Sequence, residues 1–80
     1  MLIRTYIDLP IVDRAGFELA CARHGLAPSH FEISGQPDPA DPSQDFVLVR
    51  RGRWAQAYRV DERGHWLREF ESDLNGRFFR

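Results

Sequence analysis

The chain is 80 residues long, 42% hydrophobic and 29% charged, with a net charge of −1, the balance of one small globular domain rather than a fibrous or disordered chain, and too short for a catalytic domain with a regulatory appendage. Its single cysteine, Cys21, excludes an intrachain disulfide, and its longest apolar run, Phe46 to Val49, is far too short to cross a bilayer, so a cytoplasmic protein without a membrane partner is expected. All eleven basic residues are arginine, the mark of GC-rich coding; residues 1–45 carry three arginines against seven acids and residues 46–80 eight against five, so the field of the whole molecule singles out neither nucleic acid nor membrane.

From Leu2 to Leu9, apolar Ile3, Ile7 and Leu9 alternate with Arg4, Tyr6 and Asp8, the period of a strand with one buried face. Pro10 stops that strand and suits the first turn of a helix running to about His24. On a helical wheel Ile11, Val12, Ala15, Gly16, Leu19, Ala20 and Ala22 share one half, which is therefore the expected core face. Phe17 and Cys21 fall on the polar half, where either a second element, such as the C-terminal segment with Phe78 and Phe79, or a partner covers them. Gly25 is expected in the left-handed conformation that ends a helix, with Leu26 packing back on the last turn.

Phe31 to Ser34 is β-prone and returns the chain to the sheet. Residues 35–45 hold three prolines and three aspartates, Asp38, Asp41 and Asp45, and predict a long acidic loop. Next comes a three-stranded antiparallel meander of Phe46–Arg51, Arg53–Val60 and His65–Phe70. Arg51-Gly52 makes its first turn and Asp61-Glu62-Arg63-Gly64 its second. In the middle strand Trp54, Gln56, Tyr58 and Val60 share one face. If that face is core, the aromatics fill it; if the alanines face the helix, Trp54 and Tyr58 form an open contact platform. Trp66, Phe70 and Leu74 recur every fourth residue, so a helix over 66–74 competes with the third strand. The hairpin at Gly64 favours the strand, followed by a short helical turn.

The whole chain, 1–80, therefore reads as a single α+β domain of order β-α-β-β-β-β, an antiparallel sheet with one long helix on one face. No catalytic, cofactor or metal motif stands out. Cys21 and His24 with His30 and His65 lack the paired spacing of a zinc site, and Cys21 sits away from the helix N-terminus that would activate a thiol. No phosphate loop or nucleophile elbow is present, so no enzyme and no cofactor are expected.

Two stretches carry a binding reading. Asp38, Asp41 and Asp45 offer carboxylates to a basic groove on another protein. Arg50, Arg51 and Arg53, with Arg59 and Arg63 beyond, interleave with Trp54 and Tyr58, a pattern that suits phosphates and stacked bases as well as a protein surface. A homodimer is compatible with an exposed Phe17 or Trp54.

The short opening from Leu2 to Gly25 and the hairpin leading into Trp66-Leu67-Arg68-Glu69-Phe70-Glu71-Ser72-Asp73-Leu74 resemble, in format rather than motif, the small proteins of phages and mobile elements, including anti-CRISPR proteins. The resemblance implies a non-enzymatic inhibitor that binds a CRISPR effector complex and blocks target-DNA binding. The alternative is a small nucleic-acid-binding or regulatory protein acting through the arginine/aromatic meander.

Overall fold

The computed structural model describes residues 5–41, 45–60 and 64–79. Helix α1 spans Ile11–Arg23, strands β1, β2 and β3 span Glu32–Pro37, Asp45–Arg51 and Trp54–Val60, and helix α2 spans His65–Asn75, with single 3₁₀ turns at Tyr6–Asp8 and Pro28–His30. The strands form one antiparallel sheet in the order β1-β2-β3. This is a small α+β domain, with the sheet on one side of an aromatic core and the two helices on the other.

The meander follows the expected punctuation through its first two strands. The third segment does not: residues 65–70 are the first turns of α2, not a strand. The four-residue recurrence of Trp66, Phe70 and Leu74 prevails, and all three are buried. Their segment contains no Val, Ile or Thr, the residues that favour a strand over a helix. The connection at 61–63 and the opening residues 2–4 lie outside the described residues. Of the strand expected over Leu2–Leu9, Thr5 makes one antiparallel bridge to Ser34 and Tyr6–Asp8 turn into a 3₁₀ helix, closed by the Asp8 carboxylate accepting from the Thr5 N–H.

The loop expected over 35–45 is also shorter, because Gly35, Gln36 and Pro37 pair with Val47, Phe46 and Asp45. Pro37 is tolerated there as the terminal residue of an outer strand, where a missing N–H removes no interior ladder bond. The connection that remains holds Asp38 to Asp41, with 42–44 outside the described residues.

The core is built around ring contacts. Phe17 stacks on Phe70 with centroids 4.9 Å apart and meets Phe31 edge-on at 5.7 Å, while Phe70 also touches Tyr58, Trp66 and Phe79. These arrangements are the favoured offset and edge-to-face ones. Val47, Val49 and Tyr58 supply the sheet's contribution, all buried.

Helix α1 faces this core with the opposite side from the one its aliphatic pattern predicts. Asp13, Phe17, Ala20 and Cys21 are buried, whereas Ile11, Val12 and Leu19 are exposed. Two physical reasons select that orientation. Phe17 completes the ring cluster, where an aromatic buries more area than the aliphatics it displaces. Asp13, one turn before Phe17 on the same stripe, supplies the acceptor that the buried Trp66 indole requires. A second element, α2, does cover Phe17, which removes the basis for a dimer through that residue.

Both helices end alike. Leu26 N–H bonds to Cys21 C=O and Gly25 N–H to Ala22 C=O, with Gly25 at φ 69° and Leu26 packed on the core. After α2, Phe78 N–H bonds to Asp73 C=O and Arg77 N–H to Leu74 C=O, with Arg77 at φ 63°. Each is a left-handed cap that satisfies the last carbonyls.

Candidate functional site

The acidic residues and Arg50, Arg51, Arg53 and Trp54 occupy opposite ends of β2, while Tyr58 and Arg59 pair with Val47 and Phe46 near the acidic end. At one end Asp38 is buried, its carboxylate accepting from the Ala40 N–H at 2.9 Å and pairing with the Arg59 guanidinium at 3.3 Å. Asp38 is thereby committed to holding the turn and the edge strand. Asp41 is exposed, with its N–H bonded to the Asp38 carbonyl, and Asp45 is half-buried opposite Val60 at the start of β2.

At the other end Arg51 donates to the Phe79 carbonyl at 3.0 Å and so anchors the segment after α2. Arg50 is exposed and cross-strand from Glu32. Arg53 is exposed in the turn, its guanidinium 5.0 Å from the Trp54 ring centre. Trp54 is half-buried against the core, and Tyr58 is buried, its hydroxyl donating to Asp73 Oδ2 at 2.6 Å. The aromatics of β3 thus belong to the core, and they do not form an open platform. Arg63 lies outside the described residues.

On the uncovered face of the sheet a different aromatic stands among arginines. Phe46, Leu48 and Arg50 of β2 alternate with the buried Val47 and Val49, and the Arg59 guanidinium lies 5.4 Å from the Phe46 ring centre. Along the outer side of β3, Gln56, Ala57 and Tyr58 form one wall of an open groove of about 540 Å³. The polar flank of α2, with Arg68, Glu69, Ser72 and Asp73, forms the other.

Among the described residues, the most exposed large aliphatic side chains stand on α1 and the turn before it. Ile11, Val12 and Leu19 are 73%, 76% and 59% exposed, and Ile7, from the preceding turn, is 75% exposed. Ile11, Ala15 and Leu19 repeat every fourth residue, so they form one stripe along the helix, and Ala15 is exposed too. Glu18 borders that stripe and accepts from the Tyr6 hydroxyl, which ties the 3₁₀ turn carrying Ile7 to the helix. The sequence signal for this surface is the aliphatic arc itself, read as the inner face.

Of the groups with perturbed acidity, Cys21 and Tyr58 are sealed in the core and Tyr6 is half-buried. Burial raises the Cys21 thiol to about 11, with the Glu18 carboxylate adding to the shift. Burial and the bond to Asp73 push Tyr58 well above the ordinary phenol range. Burial and the bond to Glu18 raise Tyr6 to about 12. Among the described residues no group of three or more His, Cys, Asp or Glu is placed to hold a metal ion. No described helix is long and apolar enough to cross a membrane. Set against known proteins, the chain matches no family model, no curated protein and no solved structure.

Proposed function

We propose that this protein is a non-enzymatic, protein-binding inhibitor that acts stoichiometrically, with the outer face of α1 as its principal contact. The observation that carries the reading is the exposure of Ile7, Ile11, Val12 and Leu19 on one side of the molecule. Large aliphatic side chains gathered on a rigid helix are the anchors of helix-in-groove recognition, read at i, i+4 and i+8. The form of this function that the sequence resemblance favours is inhibition of a CRISPR effector complex in the bacterial cytoplasm, by blocking target-DNA binding. Asp41, Arg50 and Arg53 would then steer the encounter from the two ends of the sheet.

The test is affinity purification of the tagged protein from a high-GC bacterial host with active CRISPR systems, in nuclease-treated and untreated halves, beside a Leu19→Glu variant. The expected result is one protein complex recovered in both halves and lost with the variant. A complex retained by Leu19→Glu removes α1 as the contact. Recovery of nucleic acid alone, lost on nuclease treatment, favours the second reading. That reading is a nucleic-acid-binding protein using Phe46, Arg50 and Arg59 on the uncovered face of the sheet, supported by the guanidinium lying over the Phe46 ring.

A further inference from the structure

Strand β3 is an edge of the sheet. The opposite edge, β1, takes the bridge from Thr5, whereas no described strand or bridge pairs with the outer side of β3. Edge strands are usually blunted by charge, proline or a bulge. The middle of β3, Trp-Ala-Gln-Ala-Tyr over Trp54–Tyr58, has no charge and no proline, and its register with β2 runs without a bulge.

The phase of the free edge follows from the turn. Gly52 and Arg53 connect β2 to β3, closing on the Arg51–Trp54 pair with Gly52 at φ 61°. A two-residue hairpin of this kind makes the closing pair a hydrogen-bonded one, and the ladder then alternates. Trp54, Gln56, Tyr58 and Val60 therefore bond to β2. Ala55, Ala57 and Arg59 turn their backbone N–H and C=O groups outward.

We propose that β3 is a dimer interface, pairing antiparallel with β3 of a second copy about a two-fold axis at Ala57 to make one continuous sheet of six strands, three from each copy. In that register Ala57 meets Ala57 and Ala55 meets Arg59. About six main-chain hydrogen bonds form, small side chains line the approach, and no like charges stand opposite. The helix wall of the groove, opposite Gln56–Tyr58, carries Arg68, Glu69, Ser72 and Asp73 in that order. Read in reverse, as the second copy presents it, that order offers Asp73 to Arg68 and Ser72 to Glu69. A foreign extended segment would gain the backbone bonds without that charge pairing, which is what selects a second copy as the occupant. The proposal is independent of the reading of α1, whose apolar face lies on another element.

Sedimentation equilibrium on the purified protein tests it, with Ala57→Pro and Leu19→Glu measured beside the parent chain. Proline at 57 removes an outward N–H and leaves the β2–β3 ladder whole. The expected result is a dimer for the parent, association weakened at least tenfold in Ala57→Pro with an unchanged circular dichroism spectrum, and a dimer retained in Leu19→Glu. Ala57→Cys gives a second readout that holds even if the proline variant misfolds. Two residues in a hydrogen-bonded pair lie about 5.5 Å apart, wide for a disulfide but within reach of a short bismaleimide, and the buried Cys21 does not compete. Rapid covalent dimerisation with that reagent is expected. A parent that stays monomeric to its solubility limit, a dimer broken by Leu19→Glu but not by Ala57→Pro, or an Ala57→Cys chain that does not cross-link each overturns the proposal. A monomer that still recovers a partner through α1 would leave the proposed function standing without the dimer.

Discussion

The indole N–H of Trp66 donates to Asp13 Oδ2 at 3.2 Å, a buried bond that joins α2 to α1 across 53 positions of sequence. It fixes which side of α1 faces inward, and so which side is left exposed. Asp13→Ala would leave the indole donor buried without an acceptor, so a loss of about 1–3 kcal/mol is expected. Urea unfolding followed by tryptophan fluorescence checks this, and an unchanged midpoint would show that the bond does not hold α1 in place.

Both tyrosines have pKa values raised above the ordinary value of 10, Tyr6 to about 12 and Tyr58 further. A phenol whose pKa is raised in the folded state keeps its proton longer in the native state. The stabilisation is thus complete below pH 10 and lost as pH rises through the folded values. Two results are expected: no tyrosinate absorbance centred near pH 10 in the native protein, and a fall in unfolding free energy that begins near pH 10. Tyr6→Phe should flatten that fall over the interval from about 10 to about 12.

Arg77 sits at φ 63° in the cap that follows α2, where Gly25 serves the equivalent cap of α1. A side chain in the left-handed region costs about 1 kcal/mol that glycine does not incur. Arg77→Gly is expected to raise the thermal midpoint by a few degrees, corresponding to about 0.5–1 kcal/mol for a domain of this size. A lowered midpoint would mean that the arginine side chain contributes more than its backbone strain removes.

Cys21 is fully buried, and its thiol is raised to about 11 by burial and the Glu18 carboxylate. The native protein should react with a thiol reagent only through opening, at least a hundredfold more slowly than the urea-unfolded chain. Fast labelling under native conditions would show that α1 lifts from the core readily.

Much of this architecture is written locally. Helix α1, its cap at Gly25-Leu26, the Gly52 turn and the two strands around it follow from proline, glycine and apolar spacing within a few residues. The facing of α1 does not, because its aliphatic arc and its Phe17–Cys21 stripe are both plausible inner faces. The choice rests on Trp66 and Phe70, more than 40 residues away. The four-residue spacing of Trp66, Phe70 and Leu74 does announce α2, but a hairpin turn before it favours a strand when only neighbours are weighed. The candidate site is less legible still. Asp38 reads as an exposed loop acid until Arg59 is seen beside it, and Tyr58 stays open between core and platform until Asp73 is seen to accept its hydrogen bond.

The three strands pair in sequence order, while the two helices come from opposite sides of them and meet last along the chain. Closing the long loop between Asp13 and Trp66 restricts far more of the unfolded chain than closing either hairpin. The meander can therefore form early, and the helix–helix contact late. In kinetic terms, truncations at the Asp13–Trp66 contact should accelerate unfolding and leave refolding nearly unchanged, whereas Gly52→Val should slow refolding. Until the helices close, Phe17 and the ring cluster stand open to water, so the same late step also sets how long this chain is exposed to aggregation at each folding attempt.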